Sequence, residues 1–164
     1  MRHRRFLHPC LLVLAALAFS ACSSAPLDLP KVLQITDVST GYFDEGIVDG
    51  KNKIVPTISL RLKNASTESI ASVQMLAKFN VVNDPEELGS AYVSAIGREG
   101  QQPGQTGQPI VMKSALGYTS EASRAMMFTH SAFKDVKVEL FGKYKAQTWM
   151  KMGEYKVARQ LLTR

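Results

Sequence analysis

The hydrophobic positions of this chain recur with a period of two from residue 31 onward. In Ile54–Asn64, for example, Ile58, Leu60 and Leu62 alternate with polar residues. Residues spaced by two lie on one face of a β-strand, so the pattern predicts strands that bury a single face. The clearest of these predicted strands are Ile54–Asn64, Ile70–Val82 and Lys134–Lys145. Weaker patterns predict strands at Lys31–Val38, Leu88–Ile96, Pro109–Lys113 and Trp149–Val157.

Turn-forming residues separate these strands. Tyr42–Lys53 is rich in turn signals, 64–67 is a polar turn, and Asn83-Asp84-Pro85 ends a strand. Gly97–Gly107 is interpreted as a mobile hairpin loop, and Glu121–Phe133 as a short helical turn. About seven short strands without a long amphipathic helix predict an all-β fold, an antiparallel immunoglobulin-like sandwich. A small closed barrel is the alternative.

Two apolar residues, Leu76 and Phe141, fall on the outward faces of their predicted strands. A single exposed apolar residue on a sheet needs no explanation. If the two lie together, they mark a docking patch.

The N-terminal residues follow a different pattern. Basic residues in 1–5 precede an apolar run from Cys10 to Phe19, and small residues then lead to Cys22. This is the anatomy of a secretory signal, and the run is shorter than the roughly 20 apolar residues that span a bilayer. Small residues that end on a cysteine resemble the lipobox of bacterial lipoproteins. The resemblance implies cleavage before Cys22 and diacylation of its thiol.

Two alternatives to the lipobox remain at this point: an ordinary cleaved signal in which Cys22 is incidental, and an uncleaved anchor. With the lipobox, the chain divides into a lipoprotein signal peptide (1–21), a tether (22–30) and a β-sandwich domain (31–164). Ser23 after the cysteine resembles the outer-membrane sorting pattern. The expected location is therefore the cell envelope, anchored in the outer membrane and facing the periplasm.

Charge adds one feature to this picture. Removal of residues 1–21 takes away three arginines, so the net charge falls from +6 to +3, which gives no case for nucleic acid. The remaining positive charge is concentrated from residue 134 onward. This segment contains eight basic and three acidic residues. The basic residues are Lys134, Lys137, Lys143, Lys145, Lys151, Lys156, Arg159 and Arg164. This strip either faces anionic headgroups or an acidic partner, or is the solvated face of an edge strand.

Candidate chemistry is sparse in the mature sequence. His130 is its one histidine, and it lies near Ser123 and Ser131 without the pattern of a nucleophile elbow. No metal-ligand spacing and no cofactor motif is present, so we expect no enzyme, no metal site and no cofactor. Aromatic residues collect near the C-terminus, where they predict either core packing or a platform for a glycan or peptide. They are Phe141, Tyr144, Trp149 and Tyr155.

The segment Leu60–Val73 pairs an apolar strand that ends in Asn64 with a Ser/Thr turn and a second strand. It is similar to the strand–turn–strand of FxLYD-type and related immunoglobulin-like modules of bacterial exported proteins. The Pro-Gly loop at 101–106 resembles theirs, whereas Lys78–Val82 stands where their Phe-x-Leu-Tyr-Asp motif belongs. The resemblance implies a binding or structural domain with no catalytic residues to carry over.

Together these features predict a membrane-anchored exported lipoprotein that is a non-enzymatic binding or structural module of the envelope. Its expected partners are the membrane, through the lipid on Cys22, and a protein of the envelope. The alternative is a periplasmic lipoprotein that binds a small ligand or a glycan. The sequence assigns no ligand-binding residues.

Overall fold

A computed structural model describes residues 26–85 and 87–162. Within these residues the chain forms eight strands in two antiparallel four-stranded sheets, with two short helices. The predicted all-β antiparallel sandwich is confirmed. The helices are α1 (Leu29–Val32) and α2 (Arg124–Thr129). The strands are β1 (Leu33–Val48), β2 (Lys51–Asn64), β3 (Val73–Val81), β4 (Glu87–Ile96), β5 (Ile110–Lys113), β6 (Tyr118–Ser120), β7 (Val136–Tyr144) and β8 (Met150–Lys156).

The first sheet is a long β1–β2 hairpin with β5 and β6 both paired to the outer side of β2. The hairpin turns at Asp49-Gly50, where both residues have positive φ, 49° and 75°. Two such residues form the tight turn whose twist matches that of the flanking strands. The region 42–53 is therefore strand almost throughout, and the prediction of an extended turn region there was wrong.

The second sheet has the strand order β4-β3-β7-β8. Its register pairs Leu76 with both Tyr92 and Phe141. Alternate residues of β3 and β7 are buried, and Val138 and Leu140 have no exposed surface. The faces predicted for these two strands are confirmed, and the polar alternates form the outer face of the sheet.

The core lies between the sheets and begins inside the segment predicted as a tether. Leu29 of α1 is fully buried, and Leu27 packs against the same core. Gly142 of β7 makes room for this helix, because a Cβ there would lie 3.1 Å from the Leu29 Cδ1. Every buried apolar side chain of the described part lies between Leu29 and Val157. These residues thus form one core of their own.

Loops at one end of the sandwich are held by buried amides. We call this end, where β1 begins and β2, β4 and β7 end, the N-terminal end. Asn64 there is fully buried, and its Nδ2 donates to the carbonyl oxygens of Glu68 and Gln101, each at 2.8 Å. The Gln101 side chain in turn donates to the Leu62 carbonyl at 2.8 Å. The loop 97–107 is tied to the core by these bonds, rather than being the mobile hairpin loop that its glycines suggested.

Candidate binding face

The outer face of the second sheet separates into rows of side chains that run across the strands. The row nearest the N-terminal end holds Ser94, Gln74 and Lys143. The next row is Tyr92, Leu76, Phe141 and Lys151. Beyond these, two rows carry charged and polar residues: Ser90, Lys78, Glu139 and Glu154, then Asn80, Lys137 and Lys156.

Apolar and aromatic side chains dominate the second of these rows. Tyr92 is 56% exposed, and Trp149 packs against it edge-to-face with ring centroids 6.1 Å apart. Leu76 of β3 and Phe141 of β7 are half-buried register partners on the same face. We call Leu76, Tyr92, Phe141 and Trp149 the aromatic row. The prediction that Leu76 and Phe141 face outward together is confirmed.

The aromatic cluster predicted near the C-terminus is assembled differently. Trp149 packs against Tyr92 of β4, a residue that the sequence did not single out. Tyr144 and Tyr155 instead pack, half-buried, against the core. The β4 residue was missed because alternation alone does not show which strands become neighbours.

Ion pairs neutralise most of the basic C-terminal strip. Lys151 lies 2.7 Å from Glu139 and 2.8 Å from Glu154, and Lys137 lies 3.5 Å from Glu154. Hydrogen bonds from Lys151 lower the pKa of the Glu154 carboxyl below its ordinary value. Nearer the C-terminus, Lys156 and Arg159 share Asp135, at 3.0 and 2.8 Å. This part of the strip is a balanced, solvated surface.

Three cations at the N-terminal end of the same face are arranged differently. We call Arg98, Lys143 and Lys145 the cationic corner. Among the described residues, no carboxylate lies within 4 Å of their charged nitrogens. The Lys143 Nζ lies instead 5.3 Å from the centre of the Trp149 ring, which is cation–π distance. Positive charge is therefore uncompensated where it adjoins the aromatic row.

Between Arg98 and Lys145 lies an open groove of about 200 Å³. Ser72, Gln74 and Ser94 line its floor and walls with hydroxyl and amide groups. Two cations with hydroxyl and amide donors form a surface suited to an anion. The groove and the aromatic row share one face of one sheet, because Gln74 and Leu76 are successive outward residues of β3.

The candidate catalytic histidine has a structural position. His130 is exposed at the C-terminal end of α2, and its Nδ1 accepts a hydrogen bond from the Ala132 amide at 3.1 Å. Ser123 caps the other end of the same helix, where its Oγ accepts from the Met126 amide at 3.4 Å. The two side chains are thus placed at opposite ends of a six-residue helix by capping.

A second concave region lies beside α2, at the other end of the sandwich. Its volume is about 180 Å³, and its lining includes Tyr118, Met127, His130 and Phe133. Behind it, Tyr42 is fully buried among aromatic rings, and burial raises the pKa of its phenol well above the ordinary value. Pockets for drug-sized ligands occupy roughly 300–1,000 Å³. The region beside α2 is therefore too small to enclose a drug-sized ligand.

Neither a metal centre nor a membrane span is found in the part of the chain that the structure describes. No three His, Cys, Asp or Glu side chains come together there as metal ligands. No helix there is long and apolar enough to cross a bilayer. The predicted signal peptide and Cys22 lie outside the described residues.

No family model and no curated protein matches the sequence. Several solved structures are similar to the chain, among them the following two. The X-ray structure of Northeast Structural Genomics Consortium target SoR45 is 9% identical with a TM-score of 0.42, over 79% of this chain and 89% of that one. The solution structure of AT1g01470 from Arabidopsis thaliana is also 9% identical with a TM-score of 0.44, over 81% of this chain and 83% of that one.

Proposed function

We propose that this protein is a non-enzymatic lipoprotein of the bacterial cell envelope, in which a lipidated Cys22 anchors a binding or structural module. The signal-like N-terminus and the small residues before Cys22 support the anchor. The expected location is the outer membrane, with the domain in the periplasm. A protein of the envelope is the expected partner of the module.

The aromatic row is the observation that carries the binding role. It sets Tyr92 and Trp149, both exposed, on an outer sheet face beside half-buried Leu76 and Phe141. A partner that covered these rings would remove their apolar surface from water, and tryptophan and tyrosine are enriched where proteins bind one another. The row is rimmed by the ion pairs of Lys151, as expected of an interface with an apolar centre and a polar rim.

One experiment in cells tests both parts of this proposal. Membranes are isolated after in vivo cross-linking from cells that make the wild type, Cys22→Ser, or Tyr92→Ala/Trp149→Ala. We expect Cys22→Ser to leave the membrane fraction in a high-salt wash, because it lacks the acylation site. We expect the double variant to stay in the membrane but lose a discrete cross-linked species.

The matched control for the aromatic row is Val111→Ala, which removes an exposed apolar side chain of the first sheet. It should keep both the membrane anchor and the cross-linked species. If Cys22→Ser remains in washed membranes, the lipoprotein assignment is wrong. If the double variant cross-links as the wild type does, the aromatic row is not the binding surface.

A further inference from the structure

The cationic corner lies at the end of the sandwich where the chain enters the fold. Lys145 directly follows β7, and Arg98 lies two residues after β4, so both are at the N-terminal end. Helix α1 packs at this end, with Leu29 against Gly142. Seven residues from Cys22 to Leu29 span at most about 25 Å. A lipid on Cys22 would therefore keep this end, and not the β1–β2 hairpin tip, near the bilayer surface.

The chemistry of the corner matches a bilayer surface. Two of its cations, Arg98 and Lys145, line a groove together with Ser72, Gln74 and Ser94, and the third, Lys143, lies on the same face of the sheet. Phosphate oxygens of anionic lipid headgroups accept hydrogen bonds from such groups.

One carboxylate lies close to this surface and limits its charge. Glu99 follows Arg98 in the loop, and its carboxylate is turned toward Gly97. It does not come within 4 Å of the charged nitrogens of the corner, as described above. The corner therefore keeps a net positive charge, in contrast to the balanced rows around Glu139 and Glu154.

We propose that the cationic corner docks on the anionic headgroups of the bilayer that holds the lipid anchor. Docking sets the N-terminal end against the membrane, so that the strands of the second sheet rise from the bilayer and its outer face, with the aromatic row, is presented sideways to a partner. The proposal rests on the proposed function only for the identity of the anchor. It makes the lipid and the cationic corner two separate contacts with one membrane.

Vesicle binding of the mature chain without its lipid tests this second contact alone. The protein begins at residue 22 and carries Cys22→Ser; it retains the whole described core, from Leu29 to Val157. Co-sedimentation is measured with vesicles of phosphatidylcholine, and with equal parts phosphatidylcholine and phosphatidylglycerol. We expect binding only to the anionic vesicles, at about 20 mM salt, and release at about 500 mM salt, where the screening length is only a few ångströms.

The decisive comparison uses two variants of equal net charge. Lys143→Glu/Lys145→Glu reverses two cations of the corner, and Lys51→Glu/Lys53→Glu reverses two at the hairpin tip, the opposite end of the sandwich. We expect the first pair to weaken vesicle binding about tenfold or more and the second to change it less than about twofold. Circular dichroism confirms that both variants fold.

Each other outcome overturns the proposal in a recognisable way. If the two pairs weaken binding equally, the attraction is a net-charge effect without a docking face. If the wild-type domain ignores anionic vesicles at low salt while the lipidated protein still fractionates with membranes, the corner does not dock but the lipoprotein assignment stands. If inorganic phosphate raises the melting temperature and vesicles do not bind, the groove takes a soluble anion instead of a headgroup.

Discussion

Asn64 is the buried amide on which the loops of the N-terminal end converge, and its removal has a calculable cost. Its side chain makes four hydrogen bonds. The Nδ2 donates to the carbonyls of Glu68 and Gln101, and the Oδ1 accepts from the Ser66 amide and hydroxyl at 2.9 and 2.7 Å. Asn64 itself has no exposed surface. Asn64→Ala removes all four bonds at once.

The expected loss of stability depends on which hydrogen-bond partners of Asn64 keep another partner after the substitution. The Gln101 carbonyl still accepts from the Ile70 amide, and the Ser66 hydroxyl still reaches the Glu68 carbonyl at 2.9 Å. The Ser66 amide is half-buried and loses its partner. A net hydrogen bond contributes about 0.5–1.5 kcal/mol, so four bonds with partial replacement give an expected loss of about 2–4 kcal/mol.

Asn64→Asp separates hydrogen bonding from packing, because it keeps the shape and removes the donor. A carboxylate oxygen would then lie near two carbonyl oxygens in a buried site, which raises the pKa of this carboxyl above its unfolded value of about 3.9. The native state then binds the proton more tightly than the unfolded state. Stability is therefore highest below the unfolded pKa and falls as pH rises through the folded pKa. We expect Asn64→Asp to be less stable than Asn64→Ala at pH 7 and to recover toward pH 4.

Urea unfolding of the mature Cys22→Ser chain measures these differences, with fluorescence of Trp149, the single tryptophan, as the signal. The control is Asn52→Ala, which removes one hydrogen bond, from Nδ2 to the Ala122 carbonyl at 2.9 Å, and should cost at most about 1.5 kcal/mol. Unchanged m-values would show that the denatured state is comparable across the variants. If Asn64→Ala costs no more than Asn52→Ala, the amide network does not hold this end of the sandwich.

Two further predictions concern the core, and both are read from midpoints of urea unfolding. Leu62→Ala should lower the free energy of unfolding by about 2–4 kcal/mol, because Leu62 is 1% exposed. Lys63→Ala, on the outward side of β2, should change it by no more than about 0.5 kcal/mol. Equal effects of the two substitutions would mean that the faces of β2 are misassigned. Tyr42→Phe removes a buried hydroxyl that has no hydrogen-bond partner among the described residues, so the free energy of unfolding should stay the same or rise by about 1 kcal/mol. A decrease of more than about 1 kcal/mol would show that the hydroxyl is hydrogen-bonded in solution.

The candidate binding face was only partly predictable from sequence. Alternation around Leu76 and Phe141 sets both side chains outward whatever their neighbours are, since successive residues of a strand point to opposite faces. Tyr92 could not be assigned to the same patch, because the pairing of β3 with β4 and β7 is decided by long-range packing. The same holds for the basic strip. Its lysines look alike in sequence, yet Lys151 has two carboxylate partners and Lys143 has an aromatic ring.

What the sequence determined by itself is local. It determined the period of two, the inward faces of β2, β3 and β7 and the absence of a long amphipathic helix, because each depends on neighbouring residues only. The sequence pattern assigned residues 22–30 to a tether, but the tertiary structure buries Leu29 of this segment against Gly142. The tertiary structure also forms strand β6, whose three residues are too few to show alternation. This strand exists because Asn52–Ile54 of β2 offers it backbone hydrogen-bond partners. Tertiary structure likewise decided which lysines of the basic strip have carboxylate partners, how the loop 97–107 is held, and which residues form the aromatic row. Each of these depends on distant residues that the two sheets bring into contact.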